Sequence, residues 1–263
     1  MVRPLPTWVS ALAGALTLVG AWWVIAVAAQ ANKGAAAGIP TPGEVVSSYG
    51  ESGWSFYWNN FSITLAEAAQ GYLWGNGLAL ALAALVLVVP RLEGVVMQLA
   101  VISYCIPIVA IGPLLLLILG LPEPGKPSAT AAFLAGMCVF FTTVVGALLG
   151  LKSADAAALD VVSVYGGGRF TQLRKVRVVA ALPAVLNALQ IAVPAAFLGA
   201  ILGEYMGKVE VGVGPAMVVA QQSLNAPRLW ALAVASGLVA LCAYLAMGLL
   251  TRMTAPWARG VAA

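Results

Sequence analysis

The first candidate for chemistry is a run that looks built for phosphate. Gly120-Leu121-Pro122-Glu123-Pro124-Gly125-Lys126 matches G-x-x-x-x-G-K, the loop whose backbone N–H groups cradle a nucleotide. It then fails. The next residue should be Ser or Thr, to hold magnesium, and it is Pro127. Pro122 and Pro124 remove two N–H donors from the cradle itself. The run reads as a tight turn, so this chain has no loop of its own for hydrolysing ATP. Other reactive groups are few. The chain has no histidine, which removes imidazole catalysis and most transition-metal sites. Cys105, Cys138 and Cys242 lie far apart in apolar runs without metal spacing and read as packing residues. No paired carboxylates and no nucleophile–base set are visible, so neither a catalytic residue nor a metal site is assigned. Two lone acids stand out, Glu67 and Glu204, because a carboxylate at membrane depth is expensive and usually has a purpose. Glu67 reads as structural, cheap if it lies near an interface. Glu204 reads as a gate residue that bonds Tyr205 or a second copy of the chain.

The elements that must position these groups are set by composition. The 263 residues are 62% hydrophobic and 8% charged, with mean hydropathy +0.98. A soluble domain carries about 25% charged residues, so lipid is the solvent that suits this surface. A span needs about 20 mostly apolar residues. Six segments qualify: Trp8–Ala29, Ile63–Val89, Val95–Leu121, Ser128–Leu151, Val178–Gly203 and Leu229–Leu250. The expected organisation is an N-terminal transmembrane helix over 1–30, an outer loop with an interfacial segment over 31–60, a five-helix core over 61–251, and a tail over 252–263. Ala29-Gln30-Ala31 imitates a signal-peptidase site. The apolar run before it is too long for a signal peptide, however, and Trp22-Trp23 suits an interfacial belt, so an uncleaved helix is expected.

Charge gives the orientation. Arg3, Arg91, Lys152, Arg169, Arg174, Lys175, Arg177, Arg252 and Arg259 fall on one side; Lys33, Lys126, Lys208 and Arg228 fall on the other. The positive-inside rule places both termini in the cytoplasm and makes this a multi-pass cell-membrane protein. The basic residues explain the net charge of +4 without nucleic acid. On the outside, Ile39-Pro40-Thr41-Pro42-Gly43 reads as a rigid turn, followed by an aromatic stretch, Trp54, Phe56, Tyr57 and Trp58, that suits the interface. No internal repeat is evident, so the inverted-repeat signature of many secondary carriers is missing.

One long cytoplasmic loop remains, 151–178. Ser153 is expected to cap a helix running to Tyr165, and Gly166-Gly167-Gly168 to end it. A second helix begins near Arg169. Phe170, Leu173 and Val176 recur every three residues as one apolar stripe among Arg169, Arg174, Lys175 and Arg177. An apolar knob with a basic rim is a docking element for a cytoplasmic partner.

At these residues the chain resembles a family. The EAA loop of ABC importer permeases reads Glu-Ala-Ala, three residues, Gly, nine residues, then Ile-x-Leu-Pro. Asp160 falls at the Glu, Gly166 at the Gly, Val176 at the Ile and Val178 at the Leu. Val161-Val162 replace Ala-Ala and Val179 replaces the Pro; Leu182-Pro183 follows four residues on. Further motifs are similar to those of nitrate/sulfonate/taurine-type permeases. They are Ile39-Pro40-Thr41-Pro42; Thr64-Leu65 with Gly71, although Glu67 stands where a basic residue is usual; Ile106-Pro107 through Pro113-Leu114-Leu115; Gly125-Lys126; Glu204 with Gly212-Val213-Gly214; and Trp257. The likeness runs from about Ile39 to Trp257.

The resemblance implies an all-α integral membrane protein of about six transmembrane helices, with the type I ABC importer permease (MetI-like) fold. It implies two permeases, identical or paralogous, with a pathway between them. It also implies two cytoplasmic ATPases that hold the ATP and magnesium, so that this chain holds no cofactor. An extracytoplasmic binding protein would deliver a small organic anion, sulfonate-like, or a heterocycle. The coupling residues it implies are Asp160, Val161, Ser163, Tyr165, Gly166, Gly167, Arg169 and Phe170. Pro107 and Pro113 are expected to break the third span and Pro194 the fifth, beside a wet or protein-filled space. The pathway candidates are Gln98, Ser103, Tyr104, Cys105, Thr142, Asn187, Gln190, Glu204 and Tyr205, with Ser103-Tyr104-Cys105 as the preferred constriction. For each one alone, a helix–helix hydrogen bond competes with a pathway role. The alternative function is a secondary carrier or channel that works without ATP.

Overall fold

The computed structural model describes residues 7–33 and 38–255. Arg3, Trp257, Arg259 and most of the expected tail lie outside the described residues. Those described form helices and connecting turns. In order they are α1 (Thr7–Lys33), α2 (Pro42–Val88), α3 (Glu93–Cys105), α4 (Ile108–Leu119), α5 (Ala129–Lys152), α6 (Ala156–Val164), α7 (Arg169–Gln172), α8 (Val178–Met206), α9 (Val213–Gln222) and α10 (Ala226–Thr254). Five helices are long and apolar enough to cross a membrane; α3 and α4 together make a sixth candidate, bent by 94°. The chain is a multi-pass membrane protein.

The third span is therefore broken, and only Pro107 breaks it. Proline pushes the residue before it out of the helical region, and Ile106 is extended at φ −73°, ψ 124°. Pro113 sits within α4, and Pro183 and Pro194 within α8, without ending either helix. The expected breaks at Pro113 and Pro194 do not occur. A proline inside a helix keeps a helical φ and costs one backbone bond, a loss that a membrane span tolerates where neighbouring helices surround it.

The helices group into two compact units. The first contains the described parts of Met1–Asn59 and Ala216–Ser236. Here the expected outer loop is mostly helix. Thr41 and Glu44 form a reciprocal cap: the Glu44 N–H donates to Thr41 Oγ1 at 3.3 Å, and the Thr41 N–H to Glu44 Oε2 at 2.7 Å. Pro42 sits at the first helical position, where its missing N–H costs nothing. The Thr-Pro-Gly-Glu run thus starts α2 rather than turning a loop. Gly53, at φ 75°, kinks it. Trp22 of α1 stacks on Trp230 at 5.4 Å and donates to the Pro40 carbonyl at 3.0 Å. Tyr49 donates to the Ala231 carbonyl at 2.8 Å. Trp54 and Trp58 stack on each other and are exposed.

The second unit, Asn60–Pro215 with the described part of Gly237–Ala263, is organised around α5. In lipid, helices gain little from burying apolar groups, so close backbone approach and hydrogen bonds must hold them. Small residues supply the approach. A Cβ on Gly71 or Gly75 of α2 would stand 2.4 Å from the Ala132 or Gly136 carbonyl of α5. A Cβ on Gly203 of α8 would stand 2.4 Å from the Ala131 Cα of α5. Both pairs, Gly71/Gly75 and Gly199/Gly203, have the four-residue spacing that lays one helix against another. Deeper in the interface, Thr143 of α5 donates to Asn76 of α2, both buried. Farther along, Ala79, Ala83, Val96, Val144 and Leu148 form an apolar cluster that joins α2, α3 and α5.

Candidate functional site

The loop between α5 and α8 is built from its caps. Asp155, not Ser153, caps α6: its carboxylate accepts from the Ala157 N–H at 3.1 Å. Ser153 instead ends α5, donating to the Gly150 and Ala180 carbonyls at 2.7 and 3.2 Å. Lys152 pairs with Glu93 at 2.6 Å and ties the loop's root to α3. An aspartate is as able an N-cap as a serine, and spacing alone did not separate them.

At its far end α6 stops as expected. Gly166 takes φ +75°. The Gly167 N–H bonds the Val162 carbonyl at 2.8 Å and the Gly166 N–H bonds the Ser163 carbonyl at 2.9 Å, which is the paired pattern of a glycine-ended helix. A Cβ on Gly167 would strike Val162 Cγ1 at 2.5 Å, so this glycine is fixed by close approach. The chain then re-enters helix at Arg169. α7 does not stop. It passes through a π-helical turn, Leu173–Arg177, directly into α8. The extra residue per turn there shifts the register, so the expected stripe splits: Phe170 is exposed while Leu173 and Val176 are half-buried.

The exposed apolar cap is instead Val161, Val164 and Tyr165 of α6 together with Phe170, at 55, 84, 87 and 75% exposure. Asp160 is exposed beside them, and Ser163 is held by Gln172, whose Nε2 also bonds the Leu159 carbonyl at 3.1 Å. The side chain of Arg169 lies outside the described residues. A cavity of about 500 Å³ opens next to Phe170, between Leu87, Val88 and Pro90 at the end of α2 and Leu173 and Arg177.

The pathway candidates are not gathered in this single chain. Gln98, Tyr104, Cys105 and Asn187 are exposed, and Ser103 and Thr142 half-buried. Ser103 bonds back to the Ala100 carbonyl at 2.7 Å, and Tyr104 stacks on Phe141 at 4.6 Å just before the α3–α4 bend. Gln190 reaches the Tyr244 carbonyl of α10 at 3.4 Å, which makes it a helix–helix tether. A cleft of about 200 Å³ between α2, α8 and α10 is apolar, lined by Leu65, Tyr72, Phe197 and Val239 among others. None of the pathway candidates lines it.

Glu67 and Glu204 depart furthest from expectation. Both are buried rather than at an interface with water: they are 0% and 2% exposed. They also form the carboxylate pair that sequence spacing did not reveal, lying within hydrogen-bonding reach of each other. Glu204 accepts from Thr64 Oγ1 and from the Gly214 N–H at 2.6 Å, not from Tyr205, which is exposed. Glu67 Oε1 accepts from the Ser128 N–H at 2.7 Å, at the start of α5. Asn60 accepts from the Gly212 N–H at 3.1 Å and Thr64 from the Val213 N–H at 2.9 Å. The first amides of α9 are thus all taken by side chains of α2 and α8, as a buried helix start requires. Gly212 and Gly214 permit this. A Cβ on Gly212 would stand 2.3 Å from Glu204 Oε1, and one on Gly214 2.8 Å from Glu204 Cβ. Asn60 and Thr64 were not among the expected site residues. Their spacing with Glu67, at i, i+4 and i+7, places all three on one helix face, but Asn60 precedes the apolar run that marked the span.

Comparison with known proteins agrees with this architecture. A family model described as binding-protein-dependent transport system inner membrane component matches residues 62–259. A Haemophilus influenzae protein named "Probable ABC transporter permease protein" is 31% identical over 71% of this chain and 74% of its own length. SsuC of Bacillus subtilis, named as an aliphatic sulfonates transport permease protein, is 28% identical over 82% of this chain and 75% of its own. The formylaminopyrimidine transport permease protein ThiX of Halalkalibacterium halodurans is 26% identical over 83% of this chain and 85% of its own.

Proposed function

Because the chain belongs to the binding-protein-dependent transport system inner membrane components, and is an ABC transporter permease, we propose that it forms half of the translocation pathway of an ATP-driven importer. In this reading a second permease, identical or paralogous, completes the pathway. Cytoplasmic ATPases bind ATP and magnesium and dock on the α6–α7 loop. An extracytoplasmic binding protein delivers substrate. The distribution of Lys and Arg supports cytoplasmic termini.

The observation that carries the proposal is the exposed cap of Val161, Val164, Tyr165 and Phe170. Four large apolar side chains in water mark a surface that a partner covers. Phe170 stands on a helix that runs without interruption through the π turn into α8, so force on it is delivered to a membrane span. Asp160, Gly166 and Gly167 shape the cap, and Arg169 begins the helix that bears Phe170.

Substrate identity belongs to the same reading. The sulfonate and formylaminopyrimidine named for the relatives support a small organic anion or a nitrogen heterocycle. Buried Glu204 is withdrawn from the path, which removes a negative charge that would repel an anion. The exposed candidates Gln98, Tyr104, Cys105 and Asn187 line the path once the second permease is present; half-buried Ser103 and Thr142 back them.

The test is to co-express the chain with candidate ATPase and binding-protein subunits from the same genome. Stable co-purification and binding-protein-stimulated ATP hydrolysis are expected. Phe170→Asp should abolish both while the membrane chain remains folded. Transport that persists without ATP would instead establish a secondary carrier or channel.

A further inference from the structure

The buried acid pair has a hydrogen-bond deficit that a proton would fill. Glu204 accepts on both oxygens, from Thr64 and from the Gly214 N–H. Glu67 accepts on Oε1 from the Ser128 N–H, and its Oε2 is buried without a partner. That orphan oxygen belongs to a group in hydrogen-bonding reach of the Glu204 carboxyl. Two ionised carboxylates offer only acceptors to each other, and a buried like-charge contact is among the costliest arrangements a protein can hold.

The surrounding charge points the same way. Among the described residues, no Lys or Arg forms an ion pair with either acid; the ion pairs are Glu123–Lys126 and Glu93–Lys152. Lys208 and Glu210 on the adjoining turn are exposed, as is Tyr205. The positive ends present are two helix starts, that of α5 at Ser128 and that of α9 at Gly212–Gly214. Each carries roughly half an elementary charge. Together they balance one negative charge, not two.

We propose that Glu67 is a carboxylic acid whose proton, on Oε2, is donated to ionised Glu204, and that this bound proton fastens the α9 start to α2 and α5. The pair is a positioning site, and its ligand is a single proton. The arrangement is asymmetric. Glu67 already has a free oxygen in the donor's place, so an amide there reproduces the O–H with an N–H. Glu204 uses both oxygens as acceptors, so the proton belongs on Glu67, whose Oε2 is open.

The experiment uses the full chain, with glutamate labelled at the side-chain carboxyl carbon, purified in lipid nanodiscs at neutral pH. Wild type should show the infrared C=O stretch of a protonated carboxylic acid, and Glu67→Gln should remove it. Glu67→Gln should melt within a few degrees of wild type, because its amide N–H replaces the O–H aimed at Glu204. A wild-type spectrum without a protonated glutamate band that Glu67→Gln removes would overturn the proposal. Failure of Glu67→Gln to fold would do the same, because an amide supplies the donor that a protonated Glu67 would have supplied.

Discussion

Gln172 Nε2 donates to Ser163 Oγ at 2.7 Å, bridging α6 and α7 across the glycine turn. With the Leu159 carbonyl as its second acceptor, this one amide holds two short helices that would not persist alone. It also ties α6, which ends at Tyr165, to α7, which carries Phe170.

Gln172→Leu should therefore loosen the loop without affecting the bundle. The loss is two hydrogen bonds on a partly exposed side chain, about 1 kcal/mol in all. Hydrogen exchange over 156–172 should quicken while exchange in α5 and α8 is unchanged. In the assembled transporter, ATP hydrolysis should respond less to the binding protein.

Gly166 is the position where the backbone itself decides. Its φ of +75° costs a residue with a Cβ about 1–2 kcal/mol. Gly166→Ala should weaken ATPase stimulation and Gly166→Trp should abolish it. Both variants should still insert, and the bundle should melt like wild type because the strain is confined to the turn, where nothing stands against the missing Cβ. Full coupling in Gly166→Trp would remove the loop from the proposed role.

Gly71 and Gly203 act on the bundle instead. Their missing Cβ atoms would stand 2.4 Å from atoms of α5 on opposite partners. Gly71→Leu or Gly203→Leu forces the backbones apart, at a cost of about 1–3 kcal/mol or more. Fluorescence-detected size exclusion after heating should show both variants melting well below wild type.

Asn187 and Gln190 separate a path residue from a tether, one turn apart on α8. Asn187 is exposed, and Gln190 bonds the Tyr244 carbonyl. Asn187→Ala should leave the melting temperature unchanged and alter transport rate or substrate preference. Gln190→Ala should lower stability by roughly 1 kcal/mol and leave preference unchanged. Tyr104→Ala, at the α3–α4 bend, should behave as Asn187→Ala does.

Much of this was legible in the chain. Apolar runs of membrane length located the spans, and the Asp160–Gly166 interval located the loop, because helix periodicity and the left-handed preference of a turn are local properties. Caps were read less well. Ser153 and Asp155 are both able caps two residues apart, and only the path of the backbone chose between them. The Thr41–Glu44 cap was hidden inside a proline-rich run that local rules read as a loop.

The acid pair marks the limit. Glu67 and Glu204 were each visible as costly carboxylates in apolar surroundings, so the sequence by itself determined that they needed a reason to exist. It could not pair them. They lie 137 positions apart, and their contact depends on how Gly71 and Gly75 seat α2 on α5 and how Gly199 and Gly203 seat α8 on the same helix. Composition and spacing determine which solvent a helix meets and where it ends. Which helix start is aimed at which carboxyl is decided by backbone-to-backbone packing of glycine faces, a relation between distant segments that exists only in the folded bundle.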